Sequence, residues 1–300
     1  LLPKAEISMY LGYLARGFRS NKVGEKAGVT HPQAALALKA LADFWADMGL
    51  EEARALQAPR AAGEARPVAP ARQAERAPAG PRPEPKRLNN NPIADARRLA
   101  AGANTLAELR AAIQQFDGCP LKKAAKNTVI CDGVFDADVM IVGEAPGGEE
   151  DAQGLPFVGR AGKLLDKMLA TIGLSRQDNV YITNLIYWRP PGNRDPSPAE
   201  MQVCAPFLTR QIELKKPKLL LTAGKFATQA MLGTEDGIMR LRGRKLLYRQ
   251  EGLHAPVKCV PLLHPAYLLR RPEDKAKAWD DLRTVAAICD ELGVKRGAAL

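Results

Sequence analysis

Aromatic residues make up only 5% of this 300-residue chain, and histidine occurs three times. A site that stacks or polarises a planar group therefore has few side chains to draw on. The five cysteines are an odd number without a disulfide-like arrangement, which argues against a cross-linked secreted scaffold and for a reducing compartment, the cytoplasm. No apolar run approaches the roughly 18 to 20 residues that cross a bilayer, so no membrane partner is expected. The start also lacks the charged-then-apolar pattern of a secretory signal. Two common nucleotide motifs are missing: there is no G-x-G-x-x-G and no Lys-Ser or Lys-Thr pair closing a phosphate loop. Acidic residues are in deficit, 33 against 44 basic, and the resulting net charge of +11 favours a polyanionic partner.

What is there is unevenly distributed. From Gln57 to Pro92 the chain is mostly Ala, Pro, Arg and Glu, with almost no large apolar residue. Such a segment cannot bury enough surface to offset its ordering entropy, so residues 57–94 are expected to form a disordered basic linker. Ahead of it, within residues 1–56, the spacing of Leu36, Leu38, Leu41, Phe44, Trp45 and Met48 predicts one amphipathic helix over Pro32 to Leu56. The folded body is expected over residues 95–300. Thr105 to Phe116 predicts a helix, with Thr105 as cap and Glu108 three residues on. Strands are predicted at Val139–Val142, Val180–Thr183, Lys218–Ala223 and Lys258–Leu262. Helices are predicted between them, at Gly162–Ile172, Pro198–Leu214 and Lys225–Leu232, and over Glu273–Leu292 at the end. Strands alternating with helices predict an α/β fold with a parallel sheet covered on both faces.

Right-handed crossovers put the loops after parallel strands on one edge, where open α/β sheets bind ligands. The first strand runs into Gly143-Glu144-Ala145-Pro146-Gly147 and then Gly154-Leu155-Pro156-Phe157-Val158-Gly159-Arg160-Ala161-Gly162. The acidic cluster Glu149-Glu150-Asp151 handicaps this loop as a phosphate cradle; Glu149 and Asp151 read as solvated loop charges. The second strand ends in Thr183-Asn184, the third in Ala223-Gly224-Lys225 and the fourth in Leu262-Leu263-His264-Pro265. Glu144, Phe157, Asn184 and His264 are therefore expected to converge on one crevice. A carboxylate, an aromatic face, an amide and an imidazole can stack a base, read its edge and polarise it.

Those motifs, with Arg189-Pro190-Pro191-Gly192-Asn193-Arg194 and His264-Pro265-Ala266-Tyr267-Leu268-Leu269-Arg270, resemble the family 4 uracil-DNA glycosylases. The likeness runs from about Phe116 to Trp279. It implies a three-layer αβα sandwich with a four-stranded parallel sheet, and hydrolysis of the bond between uracil and deoxyribose in single- or double-stranded DNA. It further implies a flipped nucleotide, because the bond is inaccessible in a stacked duplex. In that reading Gly143, Phe157 and Asn184 bind the base. Asn184 matches the O4 and N3–H edge of uracil, His264 donates towards O2, and either Glu144 or Glu150 positions water or stabilises the cationic sugar. DNA contacts are expected from Arg189, Arg244, Arg270 and Arg271, with Leu268 or Leu269 as the wedge filling the vacated stack. The protein is expected to act as a monomer. The alternative is a noncatalytic or covalently trapping uracil-DNA binding protein. A trapping relative would carry a nucleophilic His in an inserted basic loop, and none lies between Arg240 and Tyr248.

The same resemblance implies an iron-sulfur cluster held by four cysteines, and here the chain departs from it. The corresponding positions are Phe116, Cys119, Trp188 and Cys204. A cluster needs four thiolate-type ligands in a defined geometry. With Phe116 and Trp188 in place of two of them, no cluster and no metal is expected; an apolar plug takes the volume instead.

Overall fold

A computed structural model describes residues 91–297. The helix expected over Pro32–Leu56 and most of the linker lie outside the described residues. The first described helix, α1 (Pro92–Gly102), begins three residues before the expected folded body, with Pro92 at its first position and the Asn91 side chain accepting the N–H groups of Ile93 and Ala94. Helix α2 (Leu106–Gln115) is capped by Thr105, which accepts from the Glu108 N–H at 3.1 Å, while Glu108 reaches back to the Asn104 N–H at 2.7 Å.

Six strands form one mixed sheet: β1 (Cys131–Gly133), β2 (Val139–Gly143), β3 (Val180–Asn184), β4 (Leu219–Ala223), β5 (Leu246–Tyr248) and β6 (Val257–Leu262). The order across it is β1-β3-β2-β4-β6-β5. The four expected strands are the parallel centre, with Val139 opposite both Val180 and Leu219, and Leu219 opposite Lys258. The four-stranded expectation is corrected by two antiparallel edge strands of three residues each, β1 on β3 and β5 on β6. Three residues carry too little alternation to be distinguished from loop, and each forms only because a longer strand offers a free edge.

The central strands are mostly apolar because both faces are covered. Val139, Ile141, Val180, Ile182, Leu219, Leu221 and Val260 pack on one side with Leu165, Met168 and Leu169 of α4 (Arg160–Ala170) and Leu282, Val285 and Ile288 of α9 (Lys275–Glu291). Met140, Val142, Tyr181, Leu220 and Cys259 pack on the other with α1, α2 and Phe207, Leu208 and Ile212 of α5 (Pro198–Lys215). Alternate residues of one strand thus feed two cores, at about 1.5–3 kcal/mol for each large apolar side chain removed from water. The result is a three-layer αβα sandwich.

From β2 the chain crosses to β3 on one side, then returns to place β4 on the other side of β2. The loops after β2 and β4 therefore diverge, and the crevice between them is the topological switch point where open sheets bind ligands.

Candidate active site

A cleft of about 500 Å³ opens at that switch point, lined by Glu144, Glu150, Phe157, Asn184, His264 and Arg270 among others. The loop after β2, the end of β3, the start of α6 (Lys225–Leu232) and the start of α8 (Pro265–Arg270) each contribute a wall. The four residues expected to converge do so.

Gly143 is the floor, and its identity is fixed by its neighbours. A Cβ at this position would collide with Asn184 Oδ1 and lie 2.5 Å from the Phe157 ring. The amide and the aromatic face are thereby held against one backbone atom. Phe157 adopts φ +54°, a left-handed conformation that a bulky residue rarely accepts. Arg176 stabilises it: one Nη donates to the Phe157 carbonyl at 2.6 Å and the other to the Pro156 carbonyl at 3.1 Å. The same guanidinium is fixed by Asp132 at 2.7 Å and Asp166 at 2.8 Å. Arg176 belongs to no motif. Its role depends on partners from three distant segments, so the sequence carries no local signal for it.

The two glutamates are held differently. Glu150 accepts the N–H groups of Gly147 at 3.1 Å, Val158 at 3.0 Å and Gly159 at 2.9 Å. Most of a carboxylate's roughly four acceptor sites are thus occupied, and Glu150 ties the acidic turn, the short helix α3 (Gly148–Gln153), to the start of α4. Glu144 instead reaches across to α6, where Oε1 accepts the Phe226 N–H at 2.9 Å. Gly224, at φ +102°, leaves no room there for a Cβ beside the Glu144 carboxylate. Burial pushes Glu144 up to about 7, opposed by the N–H groups of Phe226 and Lys225, while Asp195 adds to the rise.

His264 is oriented by its own helix. Nδ1 accepts the Ala266 N–H at 3.1 Å, so the proton of the neutral ring resides on Nε2. Burial pushes the imidazole down to about 4; Arg270 lowers it further and Glu150 opposes. The ring lies 5.7 Å from that of Phe157, centroid to centroid. Near neutral pH the cleft therefore holds an uncharged imidazole that can donate a hydrogen bond.

Other expected site residues lie around this centre. Arg270 lines the cleft and Arg271 is exposed beyond it. The Arg189 Nε donates to Asn193 Oδ1 at 2.7 Å, and its guanidinium covers Gly148. Arg244 is exposed on a separate turn. Leu268 is fully buried in the core beside Phe157, because α8 turns that face inward, whereas Leu269 is 37% exposed. Asp151 is corrected from a solvated charge to a buried one: it accepts the N–H groups of Lys126 at 2.8 Å and Asn127 at 3.1 Å, anchoring the segment before β1. Asn193, Arg194 and Asp195 form a further wall, for which residue type gives no signal, and it is braced by the Arg194 pair with Glu200 at 2.6 Å.

Behind the cleft, Phe116 and Trp188 are buried with ring centroids 6.4 Å apart, and Phe116 packs edge-on against Phe207 at 5.1 Å. The Trp188 indole N–H donates to Thr128 Oγ1 at 3.1 Å. Cys119 and Cys204 are also buried, as free thiols in the same core. Among the described residues, no group of three or more His, Cys, Asp or Glu could hold a metal ion. Two thiols beside two packed aromatic rings do not fit a four-thiolate cluster.

A cleft at the switch point of an αβα sandwich, with an aromatic face, an amide, a carboxylate and an imidazole converging on it, defines an α/β protein with a polar crevice suited to a planar group. The family profile of the uracil DNA glycosylase superfamily matches residues 132–283. The chain belongs to that superfamily, and within it to the family 4 branch. It is 42% identical over 175 residues to the type-4 uracil-DNA glycosylase of Archaeoglobus fulgidus, covering 57% of this chain and 86% of that one. The corresponding enzyme of Saccharolobus solfataricus is 40% identical over 178 residues, covering 58% and 81%. That of Thermotoga maritima is 37% identical over 166 residues, covering 55% and 83%. No helix among the described residues is long and apolar enough to cross a membrane.

Proposed function

We propose that this protein is a DNA repair glycosylase that hydrolyses the N-glycosidic bond of uracil in DNA and leaves an abasic site. The observation that carries the reading is the convergence of Phe157, Asn184, His264 and Glu144 on one cleft. The flipped uracil stacks on Phe157. The Asn184 amide donates to O4 and accepts from N3–H, a pattern that meets the amino group of cytosine with the wrong polarity. As the bond breaks, negative charge gathers on O2, and the Nε2–H of neutral His264 donates to it. A buried neutral donor needs no reorganisation when that charge appears.

Glu144 is the better candidate for directing water. Its carboxylate retains acceptor capacity facing the cleft, whereas Glu150 is committed to three backbone N–H groups. Ionised Glu144 also faces the deoxyribose as positive charge develops there. Leu269, Arg270 and Arg271 form the DNA-contacting lip, the leucine in the vacated stack and the arginines on phosphate. The cleft is complete within one chain, which supports action as a monomer. A DNA substrate and cysteines without disulfides support a cytoplasmic, nucleoid-associated location.

Incubation with uracil-containing single- and double-stranded oligonucleotides, followed by alkali, tests the reading. Strand cleavage at uracil is expected. A heat-stable adduct would instead indicate covalent trapping, although His264 is the one histidine lining the cleft among the described residues. If neither strand cleavage nor an adduct occurred, a uracil-directed function would be refuted.

A further inference from the structure

One turn beside the cleft is built to present an apolar side chain to solvent. Ile238 lines the cleft and Leu241 is buried, but between them on α7 (Ile238–Leu241) Met239 is 48% exposed. Arg240 follows it with its side chain 80% exposed. Arg244, also exposed, makes no ion pair among the described residues. The Asp236 carboxylate lies 3.4 Å from Arg240, and an exposed pair of this kind contributes little and yields readily to a phosphate.

The turn is pinned from beneath. Arg242 donates through Nε to Asp281 Oδ2 at 2.9 Å, lies 2.7 Å from Oδ1 through Nη2, and also donates to the Lys277 carbonyl. The Asp281 side chain is only 3% exposed. The Gly243 N–H donates to the Pro261 carbonyl at 2.8 Å, and Gly243 at φ +67° leaves no space for a Cβ beside Asp281. A buried ion pair returns little net stability, because desolvation offsets most of the attraction. Its value lies in fixing position, and what it positions is a protruding methionine flanked by arginines.

We propose that Met239 is a second DNA-inserting side chain, besides Leu269, that enters the base stack of a uracil-containing duplex while Arg240 and Arg244 engage phosphate. The Arg242–Asp281 pair is the positioning device that keeps the turn rigid. The inference rests on the glycosylase reading for its ligand. A duplex that has lost one base to the cleft has two stacked faces to support, at a cost of a few kcal/mol per disrupted step, and a side chain inserted at each lip shares that cost. The thioether side chain, unbranched and polarizable, adapts to an irregular gap. A single strand has no stack to hold open, so Met239 should matter there far less.

The test uses the full chain and Met239→Ala, with Met239→Leu as the conservative variant. A duplex carrying 2′-fluoro-2′-deoxyuridine, which resists cleavage, with 2-aminopurine as its 3′ neighbour, reports unstacking by fluorescence. Met239→Ala should lose most of that fluorescence rise and slow duplex excision about tenfold, with single-strand excision within about twofold of wild type. Met239→Leu should restore both. Arg242→Ala should reproduce the duplex-selective loss by loosening the turn. Equal losses on single and double strands, or no loss on either, would overturn the proposal. The fluorescence signal needs no turnover, so absence of uracil release by wild type would sink the glycosylase reading while Met239 insertion is still judged on its own.

Discussion

Glu144 gives excision a pH dependence whose size follows from its surroundings. Its carboxyl is raised to about 7, by burial first and Asp195 second, against two backbone N–H donors. If the ionised form directs water, the active fraction is about one-tenth at pH 6 and about nine-tenths at pH 8, roughly a tenfold rise in rate. His264, lowered to about 4, stays neutral over this range and adds no second limb. The assay is single-turnover uracil release from a short single strand, which removes duplex opening and product release from the rate. Glu144→Gln should lower the rate by on the order of 100-fold and flatten the profile. The sign for stability is opposite. A carboxyl raised above its unfolded value favours the fold while protonated, and that contribution is lost as pH rises through about 7. Glu144→Gln should therefore keep or raise the Tm at pH 8 while losing activity. A wild-type profile flat between pH 6 and 8, or a Gln variant that keeps the rise, would refute the assignment.

Gly143→Ala places a methyl group against Asn184 and the Phe157 ring, so it should abolish excision and lower stability by about 1–3 kcal/mol, measured by urea unfolding. Arg176→Ala removes the donors to the Phe157 and Pro156 carbonyls and leaves Asp132 and Asp166 without their partner. It should cost about 3–5 kcal/mol and raise KM through loss of the stacking face, and unchanged KM in a folded variant would argue against that role. Asn184→Asp exchanges a donor for an acceptor at the base edge and should relax the preference for uracil over cytosine in competition assays. Undiminished discrimination would remove Asn184 from base reading. Protein purified anaerobically should carry far less than stoichiometric iron and show no sulfide-to-iron charge-transfer band; a full cluster spectrum would mean that the segment around Phe116 and Trp188 rearranges.

Much of this architecture was written locally. The four parallel strands are largely apolar runs, since a strand buried on both faces leaves few polar positions, and such runs stand out against Gly- and Pro-rich loops. Glu144 and His264 stand one and two residues past their strands and Asn184 closes its own, so parallel pairing and handedness were enough to bring them to one edge. The substitution of Phe116 and Trp188 at ligand positions was likewise plain from residue type, because neither side chain can coordinate iron.

What the tertiary structure alone decided is which atoms of those residues are free. Leu268 and Leu269 are adjacent and chemically identical, yet one is sealed beneath α8 and the other is exposed, a difference set by the helix's packing on the Phe157 core. Asp151 reads as a solvated loop charge and Glu150 as a candidate to position water, but backbone N–H groups claim both carboxylates, those of the segment before β1 for Asp151 and those of its own loop for Glu150. Glu144 owes its raised pKa to the neighbouring α6, and Phe157 owes its backbone conformation to Arg176. Local spacing determines which face a side chain starts on. Burial, hydrogen-bond partners and pKa depend on what packs against that face, and only the folded chain supplies it.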